Sequence, residues 1–279
     1  MKKYFAGFAL IAGALGILSL ASLPAVAQDQ KAAASKSKPA PRLADGHPDL
    51  GNGKGVWLPV IIDDISGQGG GEKDEKTRAR QMKMVDAKVE VPFLPWAKKL
   101  YDERYLTLSK DDPESLCLPP GIPRMMNTPF TFQIHQLPDR ILFIFEGGAH
   151  VWRTVYMNRK EHPKDFAQLT YLGDGIGHWE GDTLVVDVTG FNDRTWLDAA
   201  GHPHTEQLHV IERYTRTDED TLHYQATIDD PGAYSKPWTV GWNIKWHAGW
   251  EPYEYICQEN NKDVLAGHIY GAAPGEKHP

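Results

Sequence analysis

The residues best able to move protons or hold a metal are crowded between Gly190 and Arg213, in the run GFNDRTWLDAAGHPHTEQLHVIER. His202, His204 and Glu206 alternate there. In an extended chain their side chains share one side, and two imidazoles with a carboxylate suit Zn²⁺ or Fe²⁺. Pro203 works against a regular strand at this point. The spacing matches only the start of the cupin metal pattern. The other chemistry open to the run is acid–base catalysis without a cofactor. A histidine beside a carboxylate exchanges protons near neutral pH. His204 with Asp198 or Glu206 is the first such pair, and His150 is a second candidate base. Arg153 and Arg194 could hold a carboxylate or an oxyanion.

Asn192 and Trp196 are candidate substrate contacts in the same run. Trp242 and Trp246 are candidates further on, within the stripe Trp238, Val240, Trp242, Ile244, Trp246. That stripe reads either as the aromatic wall of a ligand pocket or as plain sheet core. The polar run has a structural reading too. Asn192, Asp193 and Asp198 could cap turns, and Arg194 could neutralise Asp187 or Glu212. Nucleophilic catalysis has little support, because no Gly-x-Ser-x-Gly elbow is present.

The elements that must carry these groups are strands. From Pro129 onward the apolar pattern has period two, in Thr131–Gln136, His150–Tyr156, Thr183–Thr189, Leu208–Thr215, Thr221–Asp229, Trp238–Trp246 and Tyr253–Cys257. Such runs, rich in Val, Ile, Tyr and Trp, form strands. Ile141–Phe145 is solidly apolar, and the links between runs are short and turn-like, which favours antiparallel neighbours. The expectation is a mainly β domain over 129–279, an up-and-down barrel or strongly curved sheet of lipocalin or calycin type, with a sandwich as the alternative. Residues 43–128 read as an irregular wrap with short helices over 72–88 and 96–104. Trp96, Leu100 and Tyr101 are expected on one side of the second helix.

Residues 1–27 have a basic start, an apolar stretch and an Ala-Val-Ala end, the pattern of a secretory signal peptide. Residues 28–42 read as a flexible linker. Removing 1–27, which carry Lys2, Lys3 and no acid, would take the net charge from −7 to −9. An acidic chain repels nucleic acids and anionic membranes, so the expected partner is a small molecule, with no membrane contact after cleavage. In an exported protein, the two cysteines Cys117 and Cys257 are expected to form one disulfide.

Several long motifs stand out: DGHPDL at 45–50, CLPPGIPRM at 117–125, WEGDTLVV at 179–186, TGFNDRTWLD at 189–198 and GHPH at 201–204. Over about 43–263 they resemble a family of exported bacterial proteins with no established activity, so the resemblance implies export and no mechanism. The resulting expectation is a periplasmic or secreted enzyme acting on a small organic molecule or sugar derivative, as a lyase, isomerase or hydrolase. A lipocalin-like binder and a metal enzyme built on His202, His204 and Glu206 are the alternatives.

Overall fold

The computed structural model describes residues 37–68, 75–107 and 109–259. The proposed signal peptide and most of the linker lie outside them. Among the described residues, nine strands close into one barrel in chain order. They are β1 (Gly55–Leu58), β2 (Phe132–Gln136), β3 (Arg140–Phe145), β4 (Trp152–Tyr156), β5 (Asp174–Glu180), β6 (Thr183–Thr189), β7 (His209–Asp218), β8 (Thr221–Asp229) and β9 (Trp238–Ala248). The barrel expected from the period-two pattern is present.

Four details differ from the sequence reading. The first strand comes from the stretch read as irregular wrap: Trp57 pairs with Phe132 on one side and Trp246 on the other, closing the barrel. Only four residues long, β1 carries too little periodicity to be seen beforehand. Second, β4 and β5 run parallel, joined only at Val155–Gly175 and Tyr156–Ile176. Parallel neighbours need a crossover, and residues 157–173 supply it. Third, β5 was hidden by Gly175 and Gly177, which break the apolar alternation. Fourth, Tyr253–Cys257 is not a strand.

The barrel is filled. Trp57, Phe132, Phe143, Tyr214, Tyr224, Trp242 and Ile244 are completely buried. Residues 120–128 are buried as well and thread among these side chains. Within that segment the Met126 carbonyl accepts the Trp242 Nε1–H at 2.8 Å, and the Met126 sulfur lies 3.5 Å from the Tyr214 hydroxyl, which donates to Glu212 at 2.6 Å. Arg124 anchors the segment through Asp112 and Glu114, at 2.6 and 2.7 Å. The Trp238–Trp246 stripe is therefore sheet core. Trp242 is covered, and Trp246 packs on Trp57 with ring centres 4.9 Å apart.

Among the described residues three α-helices accompany the barrel: α1 (Glu75–Gln81), α2 (Pro95–Leu106) and the single turn α3 (Gly147–His150). Pro95 starts α2 where its missing N–H costs nothing. Ala97, Tyr101 and Arg104, spaced four and three apart, form its packed face. Trp96 is 43% exposed, so the face expected from Trp96, Leu100 and Tyr101 is rotated. No helix among the described residues is long and apolar enough to cross a membrane. Cys117 and Cys257 form a disulfide across 140 residues, tying the plugging segment to the chain after β9.

Candidate functional site

The link from β6 to β7 is long but not loose. Phe191, Asn192, Thr195, Trp196, Leu197, Asp198, Ala200, His202 and His204 are all buried. It folds over one end of the barrel, where the starts of β7 and β9 and the face of α2 meet it. The chain just after β1 arrives at the same place.

Asp198 is the hub of the loop and is fully covered. Its Oδ1 accepts the backbone N–H groups of Gly201 at 3.0 Å and His202 at 3.2 Å. Its Oδ2 accepts the Ile65 N–H at 3.0 Å and faces His202 Nδ1 at 2.7 Å. Burial alone would push the Asp198 carboxyl up. The His202 charge and these hydrogen bonds outweigh it and hold the group below the usual aspartate value. His202 is shifted the opposite way: burial works against its charged form, but Asp198 prevails and raises it above 6.5. The His202 ring lies among Phe93, Tyr101 and Trp238, with centres 5.3, 4.5 and 5.5 Å away. Asp64 stands close by, so that ligand atoms of Asp64, Asp198 and His202 all fall within 4.8 Å of one another.

His204 makes a different pair. Its Nδ1 lies 3.1 Å from the Thr205 carbonyl and its Nε2 lies 2.7 Å from Thr195 Oγ1. A carbonyl only accepts, so Nδ1 carries the proton and the Nε2 lone pair receives the Thr195 hydroxyl. Burial lowers the His204 pKa below 6.5, which keeps the ring neutral. Gly121 lets the backbone approach Thr195: it has φ +81°, and a Cβ there would stand 2.7 Å from Thr195 Oγ1. Arg104 closes the group from α2. Its guanidinium lies 4.2 Å from the centre of the Trp196 ring and donates to the Gly201 carbonyl at 3.0 Å. Burial lowers the Arg104 pKa to about 10.

Asp198, His202, His204, Asn192 and Trp196 thus share one loop, but the pairing differs from expectation. Asp198 orients His202, not His204. Glu206 is exposed, and the triple of His202, His204 and Glu206 is not among the clustered potential ligand groups of the described residues. Pro203 supplies the reason: the chain is not a strand there, so alternate side chains do not converge. Arg194 is exposed, and its backbone N–H donates to Asn192 Oδ1 at 3.1 Å, a local turn. Asp187 is met by His162 and His209, and Glu212 by Arg153. Trp246 lies eight residues along β9 from Trp238, roughly 26 Å away in an extended strand, and belongs to the other end. His150 lies in α3, and its side chain is outside the described residues.

Sequence reasoning missed Asp64, Thr195, Tyr101 and Phe93. Asp64 sits between Ile62 and Ile65, both buried, which was the available sign of a covered carboxylate.

The fold and site define a plugged, nine-stranded mixed β-barrel with two buried imidazole pairs in its β6–β7 loop. Compared with models of protein families, with curated proteins and with solved structures, the chain has no match.

Proposed function

We propose that the protein is an exported enzyme of the periplasm or cell exterior that acts on a small organic molecule or sugar derivative by acid–base chemistry. The observation that carries this reading is the presence of two differently oriented imidazoles in one loop. Asp198 holds His202 at 2.7 Å, and Thr195 faces His204 at 2.7 Å. Environments that push two titratable groups apart separate an acid from a base. His202, stabilised in its charged form, is the proton donor. His204, held neutral with Nε2 as acceptor, takes a proton from Thr195 or from a substrate group placed there. Both pairs are buried, so substrate reaches them when α2 or the loop moves. The disulfide supports a non-reducing compartment.

The lipocalin-like alternative draws less support, since residues 120–128 and the inward aromatics occupy the interior where such a ligand would lie. A second reading places Zn²⁺ or Fe²⁺ at Asp64, Asp198 and His202, favoured by their closeness. Against it, Asp198 already accepts four hydrogen bonds.

The test is turnover. Purified protein lacking residues 1–27 is offered lactones, esters, epoxides and sugar acids, with metal content measured alongside. The acid–base reading expects turnover unaffected by EDTA and lowered about 10²–10⁴-fold in His204→Gln and His202→Gln, with the fold retained. Ligand binding without turnover would point to a binder. Stoichiometric metal lost in His202→Gln would favour the second reading.

A further inference from the structure

A separate group of imidazoles and carboxylates stands on the outer face of the barrel, where β5, β6 and β7 run side by side. Side chains alternate along these strands. Val186, Val188 and Val210 point inward and are buried, so Asp187 and His209 point out. Asp187 is in register with Ile176 on β5 and with Ile211 on β7. Asp174 and His209 lie two residues from those partners, which makes them diagonal neighbours of Asp187 on the same face. The crossover from β4 to β5, residues 157–173, brings Arg159 and His162 to the same place.

The contacts converge on one atom. Asp187 Oδ1 faces His162 Nε2 at 3.0 Å and His209 Nε2 at 2.8 Å. The other His162 nitrogen, Nδ1, faces Asp174 Oδ1 at 3.0 Å, and Arg159 donates to Asp174 Oδ2 at 3.0 Å. A carboxylate only accepts, so the Nδ1 proton points at Asp174 and Nε2 is the nitrogen directed at Asp187. A carboxylate behind the far ring nitrogen is the arrangement that orients a metal-ligating imidazole. At Asp187, two ring nitrogens and an oxygen would repel through their lone pairs unless positive charge lies between them. Two protons can supply it, and so can one divalent cation. Two imidazoles and a carboxylate on a face reached by water are a donor set for Zn²⁺, with solvent in the remaining position.

We infer that His162, Asp187 and His209 bind one Zn²⁺, with Asp174 as the residue that positions His162. The two Nε2 atoms flank Asp187 Oδ1 more widely than Zn–N bonds of about 2.1 Å allow, so binding draws each ring inward by roughly 1 Å. The His162 and His209 side chains are 19% and 37% exposed, partly open to water, and can make that shift. The ion ties the crossover to β6 and β7, next to the β4–β5 seam, which is joined at two positions. The site does not depend on the acid–base reading of the β6–β7 loop, and it shares no residue with the group of Asp64, Asp198 and His202.

The experiment has two arms. In the first, Zn²⁺ is titrated by calorimetry into the full mature chain after chelation and dialysis. The expected result is one ion bound per chain. Affinity should fall by at least about 100-fold in His162→Gln and in His209→Gln, and by about 10–100-fold in Asp174→Asn, which removes only the positioning carboxylate. No uptake of Zn²⁺, or uptake unchanged in His162→Gln and His209→Gln, overturns the proposal. The second arm, a zinc-soaked crystal of the native chain, does not depend on any variant folding. An anomalous peak at the zinc edge between His162 and His209 supports the site. Zinc bound only elsewhere, or nowhere, overturns it.

Discussion

His202 Nδ1 lies 2.7 Å from Asp198 Oδ2, inside a loop that three backbone N–H groups also bind to the same carboxylate. The pair is as fully buried as the Arg153–Glu212 pair and is the group on which the proposed chemistry rests. Removing one partner strands the other. His202→Ala should cost about 3–5 kcal/mol in denaturant unfolding, because it leaves a buried, unpaired carboxylate. Asp198→Asn should cost a similar amount. A loss within 0.5 kcal/mol of zero, typical of surface changes, would show that the pair is open to water.

The same pair fixes a pH dependence. The His202 pKa is raised, so its stabilisation is complete below 6.5 and is lost as pH rises through the raised value. The Asp198 pKa is lowered, so its contribution is present above 3.8 and is lost as pH falls through the lowered value. His204 also has a lowered pKa, and its contribution is present above 6.5 and is lost as acid protonates it. Melting temperature followed against pH should fall as pH rises above 6.5 in the native protein, and this fall should flatten in His202→Gln. An identical slope in both proteins would remove His202 as its cause.

Gly121→Ala should disturb the Thr195–His204 pair without substituting either residue. The backbone there has φ +81° and the added methyl would press on Thr195 Oγ1. The expected cost is about 1–3 kcal/mol. The His204 ring signals should shift with it, read by NMR. Unchanged His204 signals would mean that the loop yields freely.

Reduction of Cys117–Cys257 should lower stability, by at most about 5 kcal/mol on the chain-entropy account of a loop of 140 residues. Melting with and without reductant measures it, and Cys257→Ser should match the reduced protein. Equal melting temperatures would show that the bridge does not constrain the unfolded chain.

How much of this was legible beforehand follows from where the signal is local. The strands of β6 to β9 are long, alternate cleanly and could be read directly. So could the cysteine pair. β1 could not, because four residues carry almost no periodicity and its partners lie 75 or more positions away. β5 was lost to Gly175 and Gly177, whose missing side chains make room for Val155 and Met157. In the loop, the chemically able residues were visible by type. Their pairing was not, because it depends on a turn that returns the His202 backbone to Asp198 and on Asp64, Phe93 and Tyr101 arriving from distant sequence. Assigning Asp198 to His204 failed for that reason.

The central claim is that one loop holds two histidines in opposite proton states. The most direct measurement is a pH titration of the imidazole nitrogens by long-range ¹H–¹⁵N NMR, with His202→Gln and His204→Gln used for assignment. The account predicts His202 still doubly protonated as pH rises past 6.5, and His204 neutral with its proton on Nδ1 at that same pH. Two rings titrating together at 6.5, without a fixed tautomer for His204, would contradict it.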